Sequence, residues 1–448
     1  MSTPIPSPDD ALIEAVRALA AAAEDAWRSG EPARLPEGLR ACDQALAQVQ
    51  AAVVKAGPEE TAVLPASLAG VTKQLWLQRG HMLDALATVN GDPKLIIESL
   101  RSYDQAIGLA SQMESAEGFL ALAWMSRGKG LQRLASPEAL TEALRCYDET
   151  IALLGEPPGA APAELRNTLG AALVNRAGLL QRGGSAEALA GAAAAFERAI
   201  TCFQACGDHP LARRNLASAW TNLGLLRQSA GDATAAIAAQ VEALAVIDLL
   251  IPLDPEGLRG ERATILLNLG QARCAAGDLD QGLAGLRAAV ADAAVRAERD
   301  PGSADTVLRA RHALGVTLGA QLAASPNSPS RTAWLEEAGD AVEDGLALLR
   351  QWGERAAWFA AIGTRLYEFG AWFYRTQQPR FLGEFLLEHL GEDPERARIA
   401  AAAVKTTREA ITQRSFTDAA HDAMERALDV LQGLGEVEAR LKTLGVPV

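Results

Sequence analysis

The sequence predicts an all-α protein that is built from repeated pairs of helices. Three observations carry this prediction. The chain is 49% hydrophobic but only 5% aromatic, apolar residues recur at helical spacing, and a two-helix pattern returns every 44 to 49 residues. Alanine and leucine dominate the composition, and both are strong helix formers, whereas a strand-rich protein would need more β-branched and aromatic residues.

The first 60 residues are predicted to form two helices, from about Asp9 to Arg28 and from about Pro36 to Lys55. Asp9 or Asp10 is expected to cap the first helix, and Gly30 is expected to end it. We interpret residues 1–60 as an N-terminal helical cap on the repeats that follow.

About six helical pairs are predicted in residues 61–350. In the second helix of successive pairs one position recurs at steps of 44, 49, 44 and 46 residues, occupied by Tyr103, Tyr147, Phe196, Gln240 and Leu286. In the first helix a small residue recurs, four residues after a large apolar one, at Gly80, Gly128, Ala177, Gly224 and Gly270. A small residue is needed where two helices approach most closely. The sixth pair is looser, and its turn, Ser325 to Ser330, is predicted to be an exposed loop.

Polar residues at the predicted helix starts support this register. Asp92, Ser136 and Asp393 each precede a proline, while Asp232 and Asp278 each follow a glycine. Such side chains cap helices by accepting hydrogen bonds from free backbone N–H groups, and proline is favoured at the first helical position.

The stretch from Ala217 to Ile247 resembles one tetratricopeptide repeat, whose pattern runs W-x2-L-G-x2-Y and then A-x3-F-x2-A. The matching residues are Trp220, Leu223, Gly224, Ala236 and Ala243. Arg227 and Gln240 stand where the family has aromatic residues, and the repeats are longer than the usual length of about 34 residues. The resemblance implies a right-handed α-solenoid of tetratricopeptide-like repeats with helical caps.

Residues 351–448 are predicted to form an aromatic-rich helical region that closes the solenoid. The 34 residues from Trp352 to Phe385 contain ten of the chain's 21 aromatic residues. These aromatic side chains form either a core, which we favour, or an exposed anchor for a partner. Two further helices are expected, from about Pro394 to Gln413 and from about Thr417 to Leu444.

Composition argues against several classes of partner. The net charge of −14 and the pI near 5.0 would repel nucleic acid and anionic membranes on average. We find no secretory leader and expect no apolar run of about 18 residues that would span a membrane. The five cysteines are scattered, which suits a reducing compartment. We therefore expect a cytoplasmic protein that binds neither nucleic acid nor membranes.

No catalytic motif is recognised in the sequence. Phosphate-binding loops, dinucleotide fingerprints, HExxH and GxSxG are absent. Cys202, Cys206 and His209 are close in sequence, but a fourth metal ligand is lacking, so packing cysteines are the preferred interpretation. We expect no enzymatic activity, no cofactor and no metal.

The tetratricopeptide resemblance also implies where a partner binds. The family binds peptides on the face of the first helices that lines its concave groove, and the register of Trp220 transfers that face to this chain. The candidate residues are Gln78, His81, Lys129, Arg133, Asn175, Arg182, Asn222, Asn268, Gln271 and Arg309. The family uses asparagine at the position of Asn175, Asn222 and Asn268 to hydrogen-bond a peptide backbone. The basic residues suit a carboxylate or acidic segment in the ligand.

The resemblance therefore implies a non-enzymatic adaptor or scaffold that binds a peptide or partner protein in a concave groove. The alternative is a regulatory protein that senses a peptide or another effector in the same groove and changes its curvature. An enzyme in the C-terminal region is the least favoured alternative, because a catalytic pocket would need a cluster of polar groups there.

Overall fold

A computed structural model of the chain describes residues 8–56, 66–155, 162–297, 304–352, 359–413 and 421–447. These residues form eighteen α-helices and include no β-strand, so the predicted all-α class is confirmed. The chain divides into two compact units, Met1–Leu226 and Arg227–Val448. The three sequence segments 1–60, 61–350 and 351–448 remain a prediction.

The first unit contains eight complete helices and most of a ninth. They are α1 (Pro8–Arg28), α2 (Leu35–Ala56), α3 (Ala66–Asn90), α4 (Pro93–Ala110), α5 (Glu117–Leu134), α6 (Pro137–Leu154), α7 (Ala163–Gly183), α8 (Ala186–Gln204) and α9 (Pro210–Ser229). Each of α1 to α7 packs on the next helix along the chain, and alternate helices also meet, α1 with α3, α3 with α5 and α5 with α7. The pair α1–α2 therefore packs on α3 much as the later pairs pack on their successors.

The recurring glycine of the first helices lies directly under the aromatic ring of the second helices. A Cβ atom at Gly80 would collide with the ring of Tyr103, and one at Gly128 would lie 2.8 Å from the ring of Tyr147. Both tyrosine hydroxyls then reach the side chain four residues after the glycine, Asp84 at 3.1 Å and Gln132 at 3.0 Å. The small residue therefore leaves room for the ring, and the tyrosine hydroxyl forms a hydrogen bond between the two helices of the pair.

Ion pairs join successive helical pairs in the first unit. An arginine three residues after the large apolar position of a first helix binds an aspartate on the preceding second helix. The pairs are Arg79–Asp43 at 2.7 Å, Arg127–Asp104 at 2.7 Å and Arg176–Asp148 at 2.6 Å. Because Asp43 belongs to α2, the N-terminal pair makes the same contact as the repeats.

The predicted helix caps are confirmed at five starts. The side chains that accept a hydrogen bond from a backbone N–H of the first turn are Asp92, Ser136, Asp232, Asp278 and Asp393. Gly30 has a positive φ of 69° and lies two residues after the end of α1. Helix α1 begins at Pro8, so Asp9 and Asp10 lie inside the helix and not at the predicted cap position.

The second unit begins with the same kind of helical pairs. Its helices are α10 (Ala233–Leu250), α11 (Pro255–Ala275), α12 (Leu279–Ala297), α13 (Ala304–Ala324), α14 (Arg331–Gln351), α15 (Ala360–Gln377), α16 (Leu382–Leu390), α17 (Pro394–Thr412) and α18 (His421–Thr443). Neighbours pack in order from α10 to α16, and then α15 contacts α17 and α16 contacts α18. The predicted loop 325–330 lies between α13 and α14.

The aromatic residues of the second unit form a core. Tyr367, Phe373 and Phe385 are buried, and the ring centroids of Tyr367 and Phe385 are 5.5 Å apart. The core interpretation is confirmed for these residues, whereas Phe381 remains 39% exposed. Trp358 lies outside the described residues.

One helix corrects the expectation about apolar runs. Among the described residues, α10 is long and apolar enough to cross a membrane by length and composition, although only a third of it is buried. Its charged residues, Glu242 and Asp248, are too few to lower its hydropathy. Such a helix is weak evidence for a membrane, because apolar helices of other proteins pass the same test.

Candidate partner-binding surface

We name the first-helix surface the set made of four candidates of the first unit and one neighbouring glycine: Lys129, Asn175, Gly178, Arg182 and Asn222. Lys129 belongs to α5, Asn175, Gly178 and Arg182 belong to α7, and Asn222 belongs to α9. The helices α5 and α7 contact each other, and Asn215 of α9 donates a hydrogen bond to Asn167 of α7 at 2.8 Å, so the three first helices are successive neighbours.

The two cations of this surface are available for a ligand. Lys129 and Arg182 are exposed, and neither forms an ion pair within the described part of the chain. The arginines that link the pairs, such as Arg127 and Arg176, are instead engaged with aspartates. In a chain of net charge −14, unpaired cations on one side attract an acidic partner.

The two amides of this surface are partly accessible. Asn175 and Asn222 are half-buried, so each side chain is fixed by its helix but can still reach solvent. A Cβ atom at Gly178 would find no atom within 4 Å, which leaves open space beside Asn175. An asparagine amide both donates and accepts, so it can pair with the N–H and the C=O of an extended peptide.

Helix α1 covers the two candidate residues of α3, Gln78 and His81. The sequence did not indicate this contact. The indole of Trp27 stacks on the His81 imidazole at a centroid distance of 5.6 Å, and Gln78 donates a hydrogen bond to Glu24. On its other side, His81 Nε2 lies 2.9 Å from Ser126 Oγ. Burial, with a smaller effect from the nearby Lys129 ammonium, lowers the pKa of His81 to about 4. Gln78 and His81 therefore contact this chain's own N-terminal helix.

Arg133 also has an intramolecular role. Its guanidinium donates to the backbone carbonyl of Asp84 at 2.8 Å and lies 3.4 Å from the Asp84 carboxylate. That carboxylate accepts hydrogen bonds from Ser99 and Tyr103 as well. Burial raises the pKa of Asp84, and these donors and Arg133 oppose the rise. Arg133 thus holds α5 against α3, and only part of it is open to a ligand.

The candidates of the second unit differ from those of the first. Asn268 is 1% exposed, and its amide nitrogen has no hydrogen-bond partner among the described atoms. Gln271 is half-buried, and Arg309 lies 3.5 Å from Asp305 one turn away. The three asparagines that share one register position therefore differ in burial. Asn175 and Asn222 are half-buried, whereas Asn268 is fully buried. Ligand contact by any of these residues stays a prediction.

The cysteine and histidine run has a structural role. His209 Nδ1 accepts a hydrogen bond from the backbone N–H of Ala212 at 3.3 Å, at the start of α9. Cys206 is buried, and its Sγ donates to the Ala163 carbonyl at 3.4 Å. Burial raises the pKa of the Cys206 thiol, as expected for a packing cysteine.

A polar cluster in the second unit escaped the sequence analysis. His389 Nε2 lies 2.8 Å from Glu343 Oε2, and the Tyr374 hydroxyl donates to Glu343 Oε1 at 2.8 Å. Burial opposes ionisation of Glu343, but these hydrogen bonds outweigh it and lower the pKa of its carboxyl. Ligand atoms of Glu343, Glu388 and His389 lie within 4.8 Å of one another. Arg350 pairs with Glu388, so the polar groups satisfy one another as they stand.

No protein-family model matches the chain, and no curated protein matches it significantly. Solved structures do match. The apo form of RapI aligns with 98% of this chain and 100% of its own at 9% identity, with a TM-score of 0.51. BtubC (BKLC) from P. vanneervenii aligns over 65% and 94% of the two chains, at 18% identity and a TM-score of 0.39. The S. pombe nuclear import adaptor Nro1 aligns over 66% and 98%, at 13% identity and a TM-score of 0.41.

These matched structures are tetratricopeptide-repeat-like helical proteins. The RapI match spans nearly the whole of both chains, and at 9% identity it concerns the fold alone. This match indicates the same fold as the helical pairs and the glycine and tyrosine register. The chain has the fold of the tetratricopeptide-repeat-like helical proteins, with repeats longer than the usual length of about 34 residues.

Proposed function

We propose that the protein is a non-enzymatic adaptor or scaffold that binds a polypeptide on the first-helix surface. Two observations carry the proposal: the cations Lys129 and Arg182 are exposed and form no ion pair in the described residues, and the amides Asn175 and Asn222 on the first helices are half-buried. Tetratricopeptide-like proteins are typically interaction adaptors or scaffolds, and their stacked helical pairs present extended binding surfaces.

The partner segment that fits this surface is extended and carries carboxylates. An extended backbone offers N–H and C=O groups to Asn175 and Asn222, and a carboxylate forms charge-assisted hydrogen bonds with Lys129 and Arg182. The surface lies on packed helices, so the loss of conformational entropy on binding falls mainly on the partner.

Charge reversal tests this proposal. The double variant Lys129→Glu, Arg182→Glu is compared with wild type in quantitative capture from native cells, and Arg198→Glu on α8 serves as the matched control. Arg198 is exposed and makes no ion pair in the described residues, but it belongs to a second helix. We expect the double variant to lose the captured partner and Arg198→Glu to retain it. Equal capture by all three proteins would remove the proposal.

Arg133 is unsuitable for this test, because its contacts with Asp84 contribute to folding. Once a partner segment is identified, it is synthesised with its carboxylates intact and with the same groups converted to amides. Binding of the acid at least about tenfold tighter than the amide is expected for one charge-assisted hydrogen bond. Equal affinities would exclude the carboxylate part of the proposal.

A second candidate function is favoured by the contacts of α1. The Glu24 carboxylate accepts a hydrogen bond from Gln78, a position at which the family binds its ligands. An effector that carries a carboxylate would compete with Glu24 and release α1, which makes the protein a sensor. Such an effector raises the melting temperature of the wild-type protein. It should bind the variant Glu24→Gln more tightly, and unchanged affinity in that variant would exclude the competition.

A further inference from the structure

The second unit contains a cavity that the first-helix surface does not use. Its volume is about 710 Å³, within the range of roughly 300–1,000 Å³ that holds small ligands. It is lined by the end of α15, the turn that follows it, α17 and α18. Phe381, Ile411 and Val430 supply apolar side chains to its wall.

Three arginines line the same cavity, and no aspartate or glutamate is among its described lining residues. They are Arg375 at the end of α15, Arg380 in the following turn and Arg426 on α18. The chain as a whole has 56 acidic and 42 basic residues. A lining with three cations and no described anion is therefore opposite in sign to the chain's overall charge.

These arginines lack the partners that other arginines of the region have. Arg396 pairs with Asp393, Arg398 with Glu395 and Arg408 with Glu438. Within the described part of the chain, Arg375, Arg380 and Arg426 form no ion pair, and the Arg380 guanidinium lies 4.5 Å from the centroid of the Phe381 ring. Three like charges around one cavity repel one another, and a bound anion removes that repulsion.

Most of the other polar side chains that line the cavity already have hydrogen-bond partners within the protein. The hydroxyls of Thr376, Thr406 and Thr407 each donate to a carbonyl four residues earlier on their own helix. Gln377 accepts a hydrogen bond from Arg331, a fourth arginine beside the cavity, at 2.8 Å. The strongest unsatisfied groups in the wall are therefore the guanidinium donors.

We propose that this cavity binds a small organic anion with an apolar body, such as a medium-chain carboxylate or phosphate ester. The apolar body contacts Phe381, Ile411 and Val430, and the anionic head accepts hydrogen bonds from the arginines. Carboxylates and phosphates both match the planar, forked donors of arginine. The site is separate from the first-helix surface and does not depend on the proposed adaptor function.

Calorimetric titration of the full chain with three ten-carbon probes tests the site. Decanoate, decyl phosphate and the neutral decanol share an apolar chain and differ in the head group. We expect at least one anion to bind with a 1:1 ratio and about tenfold or more tighter than decanol, with weaker binding at higher salt. The preferred anion then identifies the head group. Failure of both anions to bind better than decanol overturns the proposal.

Substitutions locate the binding. The double variant Arg380→Gln, Arg426→Gln should bind the preferred anion about tenfold or more weakly, because each substitution removes a charge-assisted hydrogen bond. Arg440→Gln, on α18 but outside the cavity, should leave the affinity unchanged. Ala427→Trp should fill the cavity and abolish binding of every probe. Arg380 and Arg426 are exposed, so unfolding curves should match the wild type. Unchanged anion affinity in the double variant contradicts the site.

Discussion

The Trp27 indole stacks on the His81 imidazole at a centroid distance of 5.6 Å, and the same imidazole contacts Ser126 on its other side. His81 is therefore enclosed between α1 and α5. The enclosed ring is neutral, because burial lowers its pKa to about 4. Protonation of His81 would place a charge in this enclosed site between α1 and α5.

The first prediction concerns pH. An unfolded histidine titrates near about 6.5, so between about pH 6.5 and pH 4 the unfolded chain binds more protons at His81 than the folded chain. The free energy of unfolding should fall as the pH decreases through this window. Denaturant unfolding at about pH 7 and about pH 4.5 should show a larger loss for wild type than for His81→Gln. Parallel losses in the two proteins would mean that His81 titrates normally.

The second prediction concerns the glycine under the tyrosine ring. Gly80→Ala should destabilise the first unit by about 1–3 kcal/mol, because the added Cβ collides with Tyr103. Gly178→Ala is the matched control on α7, since its Cβ would meet no atom within 4 Å. It should stabilise the helix by about 0.5–1 kcal/mol through helix propensity. Equal effects on denaturant midpoints would contradict the close approach at Gly80.

The third prediction concerns the ion pairs between repeats. Arg127 donates to Asp104 at 2.7 Å and to Glu142 at 2.8 Å, and its side chain is largely buried. Arg127→Ala should lower the free energy of unfolding by about 1–3 kcal/mol.

Arg28→Gln provides the comparison for the third prediction. It removes an exposed pair with Glu24 and should change the free energy of unfolding by less than about 1 kcal/mol. Similar losses in the two variants would show that Arg127 contributes no more than a surface charge.

Local periodicity allowed much of the first unit to be predicted. The glycine and tyrosine positions follow from a pattern within one helical pair, so Gly80 and Tyr103 were aligned before their contact was known. Helix caps such as Asp92 depend only on adjacent residues, and they were predicted for the same reason.

Contacts between distant segments could not be predicted. The Glu24 and Gln78 side chains are 54 residues apart, and nothing in either helix's pattern indicates that α1 covers α3. The Glu343–His389 contact likewise joins α14 to α16 across 46 residues. For the same reason Asn268 was grouped with Asn175 by register alone, although burial separates them. Register assigns a helix face, whereas the neighbouring helices decide whether that face is exposed.

Site-specific photo-crosslinking tests the proposed use of the first-helix surface most directly. A photoreactive residue replaces Asn175 on that surface or Arg198 on a second helix, and each protein is irradiated with its captured partner. Crosslinks from position 175 to a segment rich in carboxylates, with none from position 198, are the predicted result. Crosslinks from position 198 alone would contradict binding at the first-helix surface.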